Sequence, residues 1–351
     1  CRNDEVDLLE YAELNGWNVA TDRSTFDSWG LGKNVSLPIL ALHSFYNVPY
    51  EIDRDPTEHP SLYEQTKLAL NVLSEATKDS EEGFFLMIEG SRIDHAGHHN
   101  DAHAQIREVL AYDEAFKAVV DFIDSSDTDS IMVSTSDHET GGLTVGRQVG
   151  DDYPEYLWYP QVLDDATASG EKIGTDLLSY LNKNEPTADE IEDYIVNVIF
   201  HKQLGLKAFQ NAELKEAIDL VSRGFISESI EYFKNMINER AYIGWTTHGH
   251  TAVDVNIYAH SNTEEGDELI WSELRGNREN TEVGSFLAKI GGVEDIGRRM
   301  SYKFDIPSHA ADFNAPQQQL LLDIEVEEEI ASLEVKEHGF VDHLKDDPVE
   351  I

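Results

Sequence analysis

Cysteine is almost missing from this sequence: Cys1 is the only one in 351 residues. No disulfide can close within the chain, and no cluster of thiolates can hold a metal. Any bound ion must be held by histidine, aspartate and glutamate, a donor set that suits hydrolytic chemistry better than a structural zinc finger. Long apolar runs are missing too. None approaches the ~20 residues that span a bilayer. The residues are nonetheless 40% hydrophobic, enough for the core of one large α/β domain or two smaller ones. Positive charge is scarce, with 26 basic residues against 69 acidic and a net charge of −43. Such a field repels nucleic acid and anionic membrane and attracts divalent cations. Most of these carboxylates read simply as a solvated surface. Methionine is scarce as well, and the first is Met87, inside an apolar run. A natural start there would cut a domain in half, so the expectation is a chain with an incomplete N-terminus.

Periodicity and punctuation outline the elements. Asp4 to Gly16 reads as a helix with a glycine stop, followed by a strand over Trp17 to Ala20. Leu37 to Leu42 is a buried strand, with Pro38 at its start or on an edge. Ser61 to Thr77, after Pro60, predicts a helix. Phe84-Phe85-Leu86-Met87-Ile88 is continuously apolar, the pattern of a strand covered on both faces. Ala102 to Ile123 places Ile106, Val109, Leu110, Phe116, Val119, Val120 and Ile123 on one helical stripe. Ile131-Met132-Val133 is another short strand. Strand, helix, strand in this order predicts a right-handed parallel crossover in a doubly wound α/β sheet. Residues 164–240 are helical and polar, with Glu185-Pro186-Thr187 as a break and restart. Ala252 to Tyr258 alternates as a strand with one polar face. Residues 322–351, including Glu325-Val326-Glu327-Glu328-Glu329, read as an acidic helix and solvated tail. With no repeat and no low-complexity linker, a single domain over 1–351 is the simpler organisation.

Three clusters carry chemistry. Glu89-Gly90-Ser91-Arg92-Ile93-Asp94-His95-Ala96-Gly97-His98-His99 follows the end of the first apolar strand, where ligand sites of open α/β sheets lie. A hydrophobic strand does not normally discharge into so many ionisable groups unless a cation occupies them. Asp137-His138-Glu139 stands at the next strand end, and Thr247-His248-Gly249-His250 precedes the strand at Ala252. Any one cluster could be a polar loop. Three together, with no cysteine, point to a metal centre.

Glu-Gly-Ser-Arg-Ile-Asp-His-Ala-Gly-His at 89–98, Ser-Thr-Ser-Asp-His-Glu-Thr-Gly-Gly at 134–142 and Thr-His-Gly-His-Thr-Ala-Val-Asp-Val at 247–255 resemble, in order and spacing, the three late metal motifs of the alkaline phosphatase family. Tyr153-Pro154-Glu155-Tyr156-Leu157-Trp158 is most similar to its fungal vacuolar branch. The resemblance is thin between Gly170 and Asn238, so residues 164–240 are expected to be a helical insertion. It implies a three-layer, doubly wound sheet, here the C-terminal portion of that domain. It further implies phosphomonoester hydrolysis through a phosphoserine, with two zinc ions and one magnesium. Glu89 resembles the magnesium ligand, a hard oxygen. Asp94, His98 and His250 resemble the ligands of one zinc, and Asp137 with His138 those of the second. His95 matches the position beside the bound phosphate, although by itself it also reads as a surface loop histidine. Arg92 is expected to brace the loop, and His99 and His248 to be bystanders. A homodimer and a place in the secretory pathway or vacuolar lumen are also implied, with any membrane anchor upstream of Cys1. The glycosylation sequon Asn34-Val35-Ser36 is compatible with that route.

One departure is serious. The family's nucleophile lies in an Asp-Ser-Ala motif, and none of the Asp-Ser pairs here is followed by alanine: Asp27-Ser28-Trp29, Asp79-Ser80-Glu81, Asp124-Ser125-Ser126, Asp129-Ser130-Ile131. The family's early aspartate ligand, magnesium-binding hydroxyl and phosphate-clamping arginine lie in the same missing region. The chain by itself is therefore expected to be inactive. The alternatives are a non-catalytic zinc-binding chain, or another metallohydrolase of the same superfamily.

Overall fold

The structure, a computed structural model, describes residues 6–293. The acidic stretch 322–351 lies outside them. Asp7 caps the first helix, α1 (Leu8–Leu14), by accepting from the Leu9 and Glu10 amides. Strand β1 (Asn18–Ala20), helix α2 (Arg23–Ser28) and strand β2 (Ile39–Ala41) follow, and β1 and β2 pair in parallel. Pro38 stands just before β2, as expected, and its carbonyl accepts from the Asn18 amide. Helix α3 (Leu62–Thr77) opens on a reciprocal cap between Ser61 and Glu64. Phe26, Trp29, Leu68 and Val72 close a small core over this pair of strands.

The apolar run at 84–88 is extended but joins no ladder among the described residues, which corrects the expected strand. An extended segment becomes a strand only when a neighbour takes its backbone groups. Phe84 lies against Phe122 at 6.3 Å, whereas Phe85 and Met87 are 75% and 77% exposed. Helices α4 (Arg92–His98) and α5 (Ala102–Asp124) come next. The buried face of α5 meets the expected stripe only in part: Ile123 is buried, Ile106, Phe116, Val119 and Val120 are half-buried, and Val109 and Leu110 are exposed, while Ala102, Ala104, Ala115 and Ala118 are buried. Small side chains let α3 and α4 approach α5 closely, so the larger residues are displaced from the contact.

Strand β3 (Ile131–Thr135) is followed by two short ones, β4 (Glu139–Thr140) and β5 (Thr144–Val145). The helical region then comprises α6 (Gln161–Asp165), α7 (Gly170–Asn184), α8 (Ala188–Tyr194) running into a π-helical stretch (Ile195–Gln203), α9 (Asn211–Ser222) and α10 (Ile226–Ala241). Thr187 caps α8 through a reciprocal bond with Glu190, the predicted restart. The chain returns through β6 (Ile243–Gly244), β7 (His250–Thr251) and β8 (Ile257–Ser261), then α11 (Glu264–Glu273) and α12 (Asn280–Ile290). The strand expected from Ala252 is delayed to β8, because its partner β3 offers five residues and they pair antiparallel with 257–261. The other pairings are β4 with β7 and β5 with β6, both antiparallel.

The main core lies among the helices. Ile173, Leu177, Ile199, Phe200, Phe233 and Ile237 are fully buried there, and Ala102 of α5 and Ile243 of β6 join the same cluster. Asp53 adds a polar tie to that region. Its carboxylate accepts from the Ser169 amide at 2.9 Å and the Ser169 hydroxyl at 2.5 Å, at the start of α7. Burial, partly offset by those bonds, pushes its pKa up to about 6. Between about pH 4 and 6 the folded chain keeps a proton here that the unfolded chain has lost, so stability falls as pH rises through that window. In urea unfolding, the stability of wild type relative to Asp53→Asn should fall by roughly 2–3 kcal/mol between pH 4 and 6 and stay level above. A difference that is flat from pH 4 to 6 would contradict this account.

Candidate metal centre

The three sequence clusters meet. In α4, Asp94 and His98 are four residues apart and share a helix face, with His98 Nε2 3.4 Å from Asp94 Oδ1. Asp137 and His138 follow the end of β3. The β4–β7 ladder sets Thr140 directly opposite His250, and this pairing brings the third cluster to the other two. The His250 ring stacks on His138 at 3.6 Å and 22°, and lies 5.1 Å from His98. One ligand atom each from Asp94, His138 and His250 falls within 4.8 Å of the others. Asp137 is exposed, with Oδ2 3.3 Å from His138 Nε2. Glu89 is exposed at the end of the extended run and is not part of the group of three.

Hydrogen bonds decide which imidazole nitrogens are left to bind. His98 Nδ1 donates to the His248 carbonyl, and His248 Nδ1 donates back to the His98 carbonyl at 2.6 Å. Thr140 Oγ1 donates to Asp94 Oδ1 at 2.6 Å and stands 3.1 Å from His138 Nδ1. On these two rings Nε2 faces a carboxylate instead, Asp94 at 3.4 Å from His98 and Asp137 at 3.3 Å from His138. His248, expected to be a bystander, latches α4 to the 247–250 loop. The pKa of His250 is lowered by burial and then by the neighbouring His138 and His98, which favours the neutral, ligating form.

Two glycines permit the close approach. A Cβ on Gly97 would meet the Thr140 carbonyl at 3.0 Å and its Cβ at 3.1 Å, so glycine lets α4 lie against β4. Gly141 has φ +92°, and a Cβ there would meet the Trp245 ring at 2.6 Å and the Gly97 carbonyl at 2.8 Å. Its amide donates to the Gly249 carbonyl at 2.8 Å, and its carbonyl accepts from the Thr246 and Thr247 amides. Glu139 completes the turn by accepting from the Gly142 amide and the Thr251 hydroxyl.

Arg92 is 3% exposed and acts as the expected brace. Its guanidinium lies 3.8 Å over the Tyr50 ring, pairs with Glu171 of α7 at 2.7 Å and donates to His95 Nδ1 at 3.0 Å. His95 thereby keeps its proton on Nε2. Burial, followed by Arg92, lowers its pKa. Burial and Lys234 hold His99 at about 3, where it bonds the Tyr50 hydroxyl at 3.0 Å. Sequence reasoning missed Thr140, Tyr50 and Glu171. Only Thr140 carried a signal, standing two residues beyond His138 in the second cluster.

A family model described as Alkaline phosphatase matches residues 1–293. The chain is 45% identical over 325 residues to the repressible alkaline phosphatase of Saccharomyces cerevisiae, covering 90% of this chain and 56% of that protein. It is 40% identical over 317 residues to the alkaline phosphatase of Schizosaccharomyces pombe, covering 89% and 55%. The chain thus spans just over half the length of these relatives. Among solved structures, the cold-active alkaline phosphatase of a psychrophilic Shewanella sp. aligns with TM-score 0.64 and 28% identity over 81% of this chain and 61% of that one. The Thermus thermophilus alkaline phosphatase aligns with TM-score 0.56 and 26% identity over 74% and 54%. The α/β class expected from sequence is the class of these structures.

Replacing Gly141 by alanine should test how tightly the turn holds the centre. The left-handed backbone and the clash with Trp245 together should cost about 2–5 kcal/mol. Thermal unfolding should show the loss, and a change under about 1 kcal/mol would mean that the turn yields easily.

Proposed function

The chain belongs to the alkaline phosphatase family, and from that premise we propose that the protein hydrolyses phosphomonoesters at a centre of two zinc ions and one magnesium. The observation that carries this reading is the meeting of Asp94, His98, His138 and His250 with the Nε2 atoms of His98 and His138 unengaged by protein hydrogen-bond donors or carbonyls. The donors are imidazole nitrogens and carboxylate oxygens without thiolate, a set that fits catalytic zinc. Asp94, His98 and His250 would hold one zinc, and Asp137 with His138 the other. Glu89 is the proposed magnesium ligand.

Proximity alone would let Asp94, His138 and His250 share one ion. The rings argue for two. Imidazole binds a metal in the plane of its ring, and two rings stacked nearly face to face, with centroids 3.6 Å apart and a tilt of 22°, offer no common point in both planes within a Zn–N bond of about 2.0 Å. His138 and His250 would therefore serve different ions.

When bound, such ions polarise phosphoryl oxygens and offset their charge. The chain's own residues orient and hold. The latch between His98 and His248 presents His98 Nε2, and Arg92 keeps the His95 proton on Nε2, from which it can donate to a phosphoryl oxygen. Arg92 itself is committed to Glu171 and Tyr50. No Asp-Ser-Ala sequence occurs in these 351 residues, so the covalent step requires a nucleophile that they do not supply. An exposed Asn34 in its sequon supports a secretory route.

Calorimetric titration of the 351-residue chain should show zinc binding that His250→Ala weakens by more than about 100-fold, since losing even an orienting partner costs about 10–100-fold. The same chain should show no turnover of an aryl phosphate. Zinc binding untouched by both His98→Ala and His250→Ala would overturn the reading. Metal-dependent hydrolysis would show that the nucleophile is on this chain.

A further inference from the structure

Thr140 touches three of the proposed metal-binding residues. Its backbone pairs with His250 across the β4–β7 ladder. Its hydroxyl lies 2.6 Å from Asp94 Oδ1 and 3.1 Å from His138 Nδ1, and the residue is 8% exposed. A threonine hydroxyl has one proton to give, and an ionised carboxylate can only accept. The proton therefore goes to Asp94, and the contact with His138 is a hydrogen bond only if Nδ1 donates. On the other side of the ring Asp137 Oδ2, 3.3 Å from Nε2, competes for the same proton, so the hydroxyl is what favours Nδ1 over Nε2.

We propose that Thr140 is a positioning residue that sets the His138 tautomer and aims Asp94, preparing donors of two different metal positions at once. The inference rests on the two-zinc reading, because Asp94 and His138 are assigned there to separate ions. A relay of this kind differs from a simple hydrogen-bonded support. Removing the hydroxyl frees the His138 proton to move to Nε2, the nitrogen that must be bare to bind, because the partner of one ring nitrogen decides where the proton sits. It also leaves Asp94 free to turn away from His98 and His250.

The test has one arm without metal and one with it. Long-range ¹⁵N–¹H correlation spectra of the neutral, metal-free chain should place the His138 proton on Nδ1 in wild type and in Thr140→Ser. Thr140→Val should give a mixture or the Nε2–H form. Cobalt and zinc titrations should then show both positions weakened by about 10–100-fold in Thr140→Val, with altered cobalt absorption bands. Thr140→Ser should stay within a fewfold of wild type. If valine prevents folding, Thr140→Ala takes its place against serine. A His138 proton on Nε2 in wild type would overturn the proposal outright. So would unchanged metal affinity and cobalt bands in the hydroxyl-free variants. Absence of metal binding in wild type, with the expected tautomer, would instead count against the two-zinc reading and leave the hydroxyl's role standing.

Discussion

The centre depends on one short piece of backbone pairing, Glu139 and Thr140 against Thr251 and His250. Its members are 112 and 110 residues apart in sequence, and it carries His250 toward the helix at residues 92–98. A two-residue ladder has little stability of its own. Here it is held at both ends: by Gly141, which bonds Gly249, Thr246 and Thr247 through its backbone, and by Glu139, which bonds the Thr251 hydroxyl. The reciprocal His98–His248 bonds then tie α4 to the same loop. The metal-binding geometry is thus a consequence of how a turn of two glycines is packed against Trp245.

The helical region between α6 and α10 acts as a brace for α4 and the residues that flank it. Glu171 pairs with Arg92, Ser169 with Asp53, the Gly170 amide with Asp101, and the Lys234 ammonium with the His99 carbonyl. Buried ion pairs of this kind are poor contributors to net stability, because desolvation offsets most of the attraction. Their effect is to penalise alternatives. If α7 shifted, Arg92 and Asp101, now 3% and 1% exposed, would lose charged or polar partners. A few ångströms of slippage are thereby made costly at the residues that flank Asp94 and His98.

The meeting of Asp94, His138 and His250 was foreshadowed because each stands in a short string of ionisable residues. Asp94 and His98 are separated by one helical turn, and Asp137 and His138 are adjacent. The capped helices over Leu62–Thr77 and from Ala188 were legible for the same reason, since local side chains start them. What escaped was everything set by pairing at a distance. The run at 84–88 has a strand's composition, yet a strand needs a partner, and none of the described residues provides one. The face of α5 followed the closeness of α3 and α4, which no periodicity reports. The roles of Thr140 and His248 depend on which atom meets which across the β4–β7 loop. His248 and His250 are indistinguishable in the string Thr-His-Gly-His; in the structure it is His250 that stacks on His138, lies 5.1 Å from His98 and joins the group of Asp94 and His138.

The acidity of the chain also becomes intelligible at this scale. A net charge of −43 repels a phosphate ester at long range and draws divalent cations in. Beyond about 8–10 Å such a field is largely screened at physiological salt, so the balance at the centre is set by the groups lining it. Those groups offer no fixed positive charge: they are imidazoles, one of them with its pKa lowered by burial and its neighbours, and the carboxylates Asp94 and Asp137. Arg92, the cation inside the first motif, is neutralised by Glu171 and cannot also serve an anion at the centre. Without added positive charge, the surroundings of Asp94 and Asp137 disfavour a phosphate dianion. Under the proposed function, cations would therefore have to load before an anionic substrate binds.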